Sequence, residues 1–135
     1  MTTPVATVLV VDDDSLVRAA ARATLERFNL VVREAADGEA ALRSLAAKPV
    51  DAVLIDILMP HKEGLETILE IKRSYPDVKV YAMSASGRRN GHDFLKVAEK
   101  FGAHAVLQKP FTPAQLLALF GAETAPQDTG RASGA

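Results

Sequence analysis

The sequence predicts an α/β fold, a doubly wound five-stranded parallel sheet with helices on both faces. Three observations lead there. Short apolar runs such as Val5–Val11 and Ala52–Ile55 lack polar alternation, as expected of strands buried on both faces. Segments of helical period separate the runs, which implies parallel strands joined by crossover helices; right-handed crossovers with helices on both faces require the strand order to reverse somewhere. Finally, four runs close on polar residues: Asp12 and Asp13 after the first, Asp56 after the third, Ser84 after the fourth and Lys109 after the fifth. In a parallel sheet those ends share one edge, where open α/β sheets bind their ligands.

The elements follow in order. Residues 1–4 form a lead-in to Val5–Val11, which is almost wholly β-branched or apolar. Asp14 or Ser15 can accept a bond from the free amides of a first helix. Leu16, Ala20 and Ala23, with Val17, Ala21, Thr24 and Phe28, fall on its adjoining faces. Leu30–Ala35 is the second strand. Asp37-Gly38 turns the chain, and Asp37 can also cap a helix over Glu39–Lys48. Pro49 separates that helix from Ala52–Ile55, the third strand, which ends at Asp56 and cannot continue through Pro60. Lys62–Tyr75 is the third helix, with Leu65, Ile68, Leu69 and Lys72 along one side, and Pro76 ends it. Val78–Met83 is the fourth strand, followed by a polar loop from Ser84 to Gly91. Phe94, Val97, Ala98 and Phe101 make the stripe of a fourth helix, closed by Gly102. Ala105–Gln108 is the fifth strand. Thr112 caps and Pro113 opens a fifth helix reaching Phe120. Residues 121–135 are small, polar and aperiodic, a tail expected to be disordered, so the expected domain is 5–120.

The totals exclude several classes. A length of 135 residues suits one domain with one core. A net charge of -1 signals no general attraction to nucleic acid or to an anionic membrane. The absence of cysteine removes disulfides, thiolate metal sites and thiol catalysis. No apolar run is long enough to span a bilayer. The N-terminus has neither a basic leader nor a cleavage signal, so the expected location is cytoplasmic, without membrane insertion.

Asp12, Asp13 and Asp56 at one sheet edge repel one another, and without a cation some would take up protons. Mg²⁺, or Mn²⁺ with similar preferences, suits such an oxygen-rich set. Asp56, alone at the end of the most apolar strand, is the candidate nucleophile for a phosphoryl group. Such transfer depends mainly on positioning and charge stabilisation.

In order and approximate spacing, Asp12-Asp13, Asp56 followed by Met59-Pro60, Ser84-Ala85 and Lys109-Pro110-Phe111 resemble the response-regulator receiver domains of two-component signalling, chemotaxis receivers included. Each motif is weak alone; together, each at a strand end, they are specific, and the resemblance spans Val5 to Phe120. It implies the flavodoxin-like strand order 2-1-3-4-5, with strands one and three adjacent. It implies Asp56 as phosphoacceptor, Asp13 and Asp56 as direct metal ligands, Asp12 as a ligand through water, and the main-chain carbonyl of Leu58 as a further ligand. The Ser84 hydroxyl and Ala85 amide would hold one phosphoryl oxygen and Lys109 another, with a cis Lys109-Pro110 peptide. A histidine kinase or histidine phosphotransfer protein would be the donor. A target protein would dock near the fourth helix, fifth strand and fifth helix, with homodimer formation on phosphorylation as a further expectation. The chain would catalyse only its own phosphorylation and dephosphorylation. With only the tail after Phe120, output through a partner protein rather than an attached or nucleic-acid-binding domain is the expectation.

Simpler roles fit other residues. Asp14 reads as a helix cap and Asp51 as a solvated or turn-bonding residue. His61, His92 and His104 lack metal-ligand spacing, and Arg88-Arg89 reads as a solvated pair. An aspartate-nucleophile phosphohydrolase would need a carboxylate where Leu58 stands. A flavin or nucleotide module would need a Gly- or Ser/Thr-rich loop where the aspartates stand. A phosphorylation-independent scaffold would not need the full polar set.

Several features set the chain apart from the family's usual pattern. Val106 occupies the switch position, usually Tyr or Phe, and its short stiff side chain cannot make an aromatic swing. Either the signal leaves by another surface or its amplitude is smaller. The loop after Ser84 is also longer than usual, with Gly87 and Gly91 as hinges, and Glu63-Gly64 replaces the commoner Asp-Gly or Asn-Gly. Leu58 cannot orient a hydrolytic water by hydrogen bonding. Slow loss of an acyl phosphate is therefore expected, with faster loss in Leu58→Asn; equal rates in timed phosphate release would refute this.

Overall fold

The computed structural model describes residues 6–57, 64–84, 88–89 and 92–120, and for 88–89 and 92–95 the backbone alone. The elements are β1 (Thr7–Val11), α1 (Ser15–Glu26), β2 (Val31–Ala35), α2 (Gly38–Ala47), β3 (Ala52–Asp56), α3 (Gly64–Ser74), β4 (Lys79–Ser84), α4 (Phe94–Lys100), β5 (Ala105–Gln108) and α5 (Pro113–Phe120). The five strands form one parallel sheet in the order β2-β1-β3-β4-β5, the expected doubly wound arrangement.

Strand alternation sorts the core into two layers. Leu9, Val11, Val53, Ile55, Val80 and Ala82 face α2, α3 and α4, where Leu45, Ile68, Ile71 and Ala98 meet them. Val8, Val10, Leu54, Tyr81 and Met83 face α1 and α5, packing on Ala21, Leu25, Leu116 and Phe120. Every residue of β3 is buried, because β3 lies inside the sheet with helices above and below.

Helix ends are set by local chemistry. Asp14 caps α1 by accepting from the Leu16 amide, and Asp37 caps α2 by accepting from the Ala40 amide at 2.8 Å. Thr112 and Gln115 bond reciprocally at the start of α5, a capping box: the Gln115 amide donates to Thr112 Oγ1 and the Thr112 amide to Gln115 Oε1. Arg33 of β2 donates to the main-chain oxygens of Ser44 and Lys48, satisfying carbonyls at the end of α2. Gly102 follows α4 with a φ of 115°, and a Cβ there would lie 2.7 Å from Lys72 Cγ, so both conformation and space call for glycine. Asp51 accepts from the amides of Ala6 and Thr7, which fastens the start of β1 to the start of β3.

Several expectations need correction. Helix α3 buries Gly64, Thr67, Ile68 and Ile71, whereas Leu69 is 43% exposed. The true stripe has the expected spacing but starts one residue earlier. In α1 the buried positions are Ala21 and Leu25; Leu16 is 78% exposed and Phe28, beyond the helix end, is also exposed. Arg88–Arg89, placed in a polar loop and expected to be a solvated pair, instead pairs antiparallel with His92–Asp93. The Asn90-Gly91 dipeptide between them is a strong hairpin signal that hydrophobic patterning does not register. Helix α3 starts at Gly64, and the expected start at Lys62, the tail 121–135 and the lead-in 1–4 lie outside the described residues.

The shifted stripe predicts different sensitivities on α3. Ile71→Ala should cost about 2–5 kcal/mol in urea unfolding, through lost burial and a residual cavity. Leu69→Ala should cost less than about 1 kcal/mol. A reversed ranking would contradict the observed packing.

Candidate functional site

The site grows from the adjacency of β1 and β3. Their register pairs Val11 with Ile55, and the next residues on the two strands are Asp12 and Asp56. Asp12 is fully buried and Asp56 is 5% exposed, while Asp13, one residue further along, is exposed. Carboxylate oxygens of Asp12, Asp13 and Asp56 all lie within 4.8 Å of one another. This all-oxygen donor set fits a hard divalent cation.

Lys109 enters from the end of β5. Its amide donates to the Ser84 carbonyl at 2.8 Å, which ties the end of β5 to that of β4. Its Nζ donates to Asp12 Oδ2 at 2.7 Å and to Asp56 Oδ2 at 3.1 Å. The Lys109-Pro110 peptide is cis. Ser84 is fully buried as the last residue of β4, next to β3, whose Asp56 pairs in register with Met83.

The electrostatics follow from three carboxylates against one ammonium. Burial pushes the Asp12 carboxyl above its usual range; the Lys109 bond and the Asp14 amide pull it back in part, and the Asp56 charge adds to the rise. Burial alone would lower Lys109, but its bond to Asp12 and the charges of Asp56 and Asp12 outweigh this and raise it. Both groups therefore hold their protons more tightly, Asp12 mainly because it is buried and Lys109 because two carboxylates face it.

The structure therefore brings together Asp12, Asp13, Asp56 and Lys109, with Ser84 at the neighbouring strand end. Leu58, Ala85 and His61 lie outside the described residues. Val106 pairs with Ala82 and packs, partly buried, against the layer containing Ala98. Asp14 is the helix cap that its position suggested. The direct Lys109–Asp12 bond was not foreseen. Arg18 was also missed: its Nη1 donates to the Asp12 carbonyl oxygen at 2.6 Å. The available signal was an arginine one helical turn beyond the capping Asp14, placed to reach back to the loop. Beside Lys109, a cavity of about 450 Å³ is lined by Leu16, Val17, Ala20, Lys109, Pro110 and Phe111.

Comparisons with known proteins agree with this geometry. The family model described as "Response regulator receiver domain" matches residues 8–120. The chain is similar to the transcriptional regulatory protein PrrA of Mycobacterium tuberculosis, with 38% identity over 82% of this chain and 46% of that protein. It is also similar to the DNA-binding transcriptional regulator NtrC of Rhizobium meliloti, with 34% identity over 86% of this chain and 23% of that protein. The chain thus spans between about a quarter and a half of the length of these relatives. Among solved structures, chemotaxis protein CheY4 of Vibrio cholerae superposes with a TM-score of 0.79 at 26% identity, covering 88% of this chain and 98% of that one. The receiver domain of NtrX from Brucella abortus gives a TM-score of 0.78 at 26% identity, covering 86% and 96%.

The raised Lys109 value has a consequence for stability. Folding takes up a proton between the unfolded and folded values, so the contribution is complete below the ordinary value of 10.5 and is lost as pH rises through the folded value. The thermal midpoint difference between the parent and Lys109→Met should therefore narrow above pH 10.5. A difference that stays constant or widens there would contradict the pairing.

Proposed function

The chain belongs to the response-regulator receiver domain family of two-component signalling, and on that premise we propose that it is a phosphoacceptor in which Asp56 takes a phosphoryl group from a phosphohistidine donor. The observation that carries the proposal is the convergence of three carboxylates within 4.8 Å beside an ammonium 3.1 Å from Asp56 Oδ2.

In this reading Asp13 and Asp56 would hold the cation directly, Asp12 would act through water, and the Leu58 carbonyl would contribute a further oxygen. When bound, Mg²⁺ or Mn²⁺ supplies positive charge beside the phosphoryl oxygens and relieves repulsion among the carboxylates. An Asp56 carboxylate oxygen attacks phosphorus in line. The P–N bond of the donor breaks, its electron pair returns to the imidazole nitrogen, and that nitrogen takes a proton from solvent. Lys109, already bonded to Asp56, follows the charge onto the phosphoryl group through its long flexible stem. The Ser84 hydroxyl and Ala85 amide hold another phosphoryl oxygen. Burial of Asp56 and Ser84 limits the water around the transferring group.

The donor is a histidine kinase or histidine phosphotransfer protein. The apolar cavity beside Lys109, with exposed Leu16 at its edge, offers such a protein a foothold next to the acceptor. Output passes by protein contact near α4, β5 and α5, including homodimer formation on phosphorylation. With Val106 at the switch position no aromatic swing is available, and the signal leaves by another surface or with a smaller amplitude. Proteins named as DNA-binding regulators are among the relatives, but this chain covers 23% of the one from Rhizobium meliloti, and no direct nucleic-acid contact is proposed for the chain itself. Among the described residues, no helix is long and apolar enough to cross a membrane.

Incubation with acetyl phosphate or beryllium fluoride, with and without Mg²⁺, tests the reading by intact mass and amide NMR. A labile adduct is expected only with Mg²⁺ and is lost in Asp56→Asn. Lys109→Met should slow its formation about a hundredfold, as expected on removing a preorganised charge. An adduct that persists in Asp56→Asn, or a parent that forms none, rules out the assignment.

A further inference from the structure

We propose that Arg18 is a positioning residue for the acid pair: it holds the peptide joining Asp12 to Asp13 and thereby sets the direction of the Asp13 carboxylate toward a bound cation. This rests on the reading above that the three carboxylates take a divalent ion. Asp12 and Asp56 are both oriented by Lys109. The Asp13 carboxylate has no hydrogen bond among the described residues, so its placement is inherited from its main chain. The relevant peptide carries the Asp12 carbonyl, whose oxygen accepts from Arg18 Nη1 at 2.6 Å.

Arg18 is itself held. Its Nε donates to Glu34 Oε1 at 2.9 Å, and Glu34 Oε2 accepts from Arg22 Nη1 at 2.8 Å. The Arg18 side chain is 18% exposed, against 43% for Arg22, so Arg18 lies under the network and Arg22 at its rim. Glu34 is fixed by the pairing of β2 with β1, where it stands opposite Val10. Asp12 is thereby bonded on every polar group. Its amide donates to the Ala35 carbonyl, its Oδ1 accepts from the Asp14 amide, its Oδ2 from Lys109, and its carbonyl oxygen from Arg18. A guanidinium fork can bond a carboxylate and a carbonyl at once in a fixed plane, which a lysine ammonium cannot reproduce. Outer residues that orient metal ligands in this way typically contribute 10–100-fold to metal affinity.

The sign of the effect separates positioning from charge. By Coulomb's law alone, the cationic Arg18 opposes a divalent ion, so a pure charge role predicts no change in Arg18→Lys. Positioning predicts weaker binding in Arg18→Lys despite the retained charge. Mg²⁺ alone would be titrated into the whole chain by calorimetry and amide NMR, for the parent, Arg18→Lys, Glu34→Gln and Arg22→Gln. Arg18→Lys and Glu34→Gln should each weaken Mg²⁺ about tenfold. Arg22→Gln, which shares Glu34 but does not touch Asp12, should stay within about twofold. At saturating Mg²⁺, Arg18→Lys should still form the beryllium fluoride adduct on Asp56, since Asp56 and Lys109 are untouched. If Arg18→Lys does not fold, Glu34→Gln decides, because it loosens the guanidinium without replacing it. Unchanged Mg²⁺ affinity in the folded variants, or an equal loss in Arg22→Gln, overturns the inference while leaving the phosphoacceptor reading intact. A parent that binds neither Mg²⁺ nor beryllium fluoride overturns both.

Discussion

The bond from Lys109 to Asp12 and Asp56 joins parts of the chain 97 and 53 residues apart, and the other features of the site depend on it. Taking carboxylates out of water is costly, and packing them side by side costs more. One ammonium offsets part of that cost and leaves surplus negative charge. Burial is the main reason that Asp12 is raised, and the neighbouring carboxylates are the reason that Lys109 is raised despite its burial. An edge so charged is tolerable in a folded protein when its geometry is held rigidly and when it can receive a cation.

The rest of the fold supplies that rigidity. Only a parallel sheet brings the ends of β1, β3, β4 and β5 to a common edge, and the reversal of strand order puts β1 beside β3. The two apolar layers clamp β3 so that Asp56 emerges from a strand with no exposed residue. Capping side chains then start the helices at defined points: Asp14 begins α1 two residues after the buried acid, so the β1–α1 connection has almost no slack. The Ser84–Lys109 main-chain bond does the same for the far side of the site.

Much of this was legible in the sequence, and the parts that were not have physical reasons. Strands announced themselves as β-branched runs closed by polar residues, and β5 and α5 begin and end where the pattern put them. Asp37 and Thr112 were readable as caps because capping depends on residues a few positions away. The face of α3 was misplaced by one residue. Leu65 and Leu69 look more apolar than Gly64 and Thr67, yet the approach of the backbone to the sheet, and not hydropathy, chooses which side is buried. Arg18 escaped notice for a related reason: its partner is a main-chain oxygen, which no side-chain motif records. The Lys109–Asp12 bond required knowing the distance between two strand ends, whereas the presence of both residues at one edge required only their positions.

Gly64 carries a quieter consequence. A Cβ at this position would collide with the Asp56 carbonyl oxygen and with Ile57 Cα. The first turn of α3 therefore rests directly on the peptide that follows Asp56, backbone on backbone, with no side chain as a cushion. Soft contacts absorb small displacements; a contact of this kind does not. The main chain at Asp56 and the first turn of α3 are thus coupled sterically, and neither can move by more than a few tenths of an ångström toward the other.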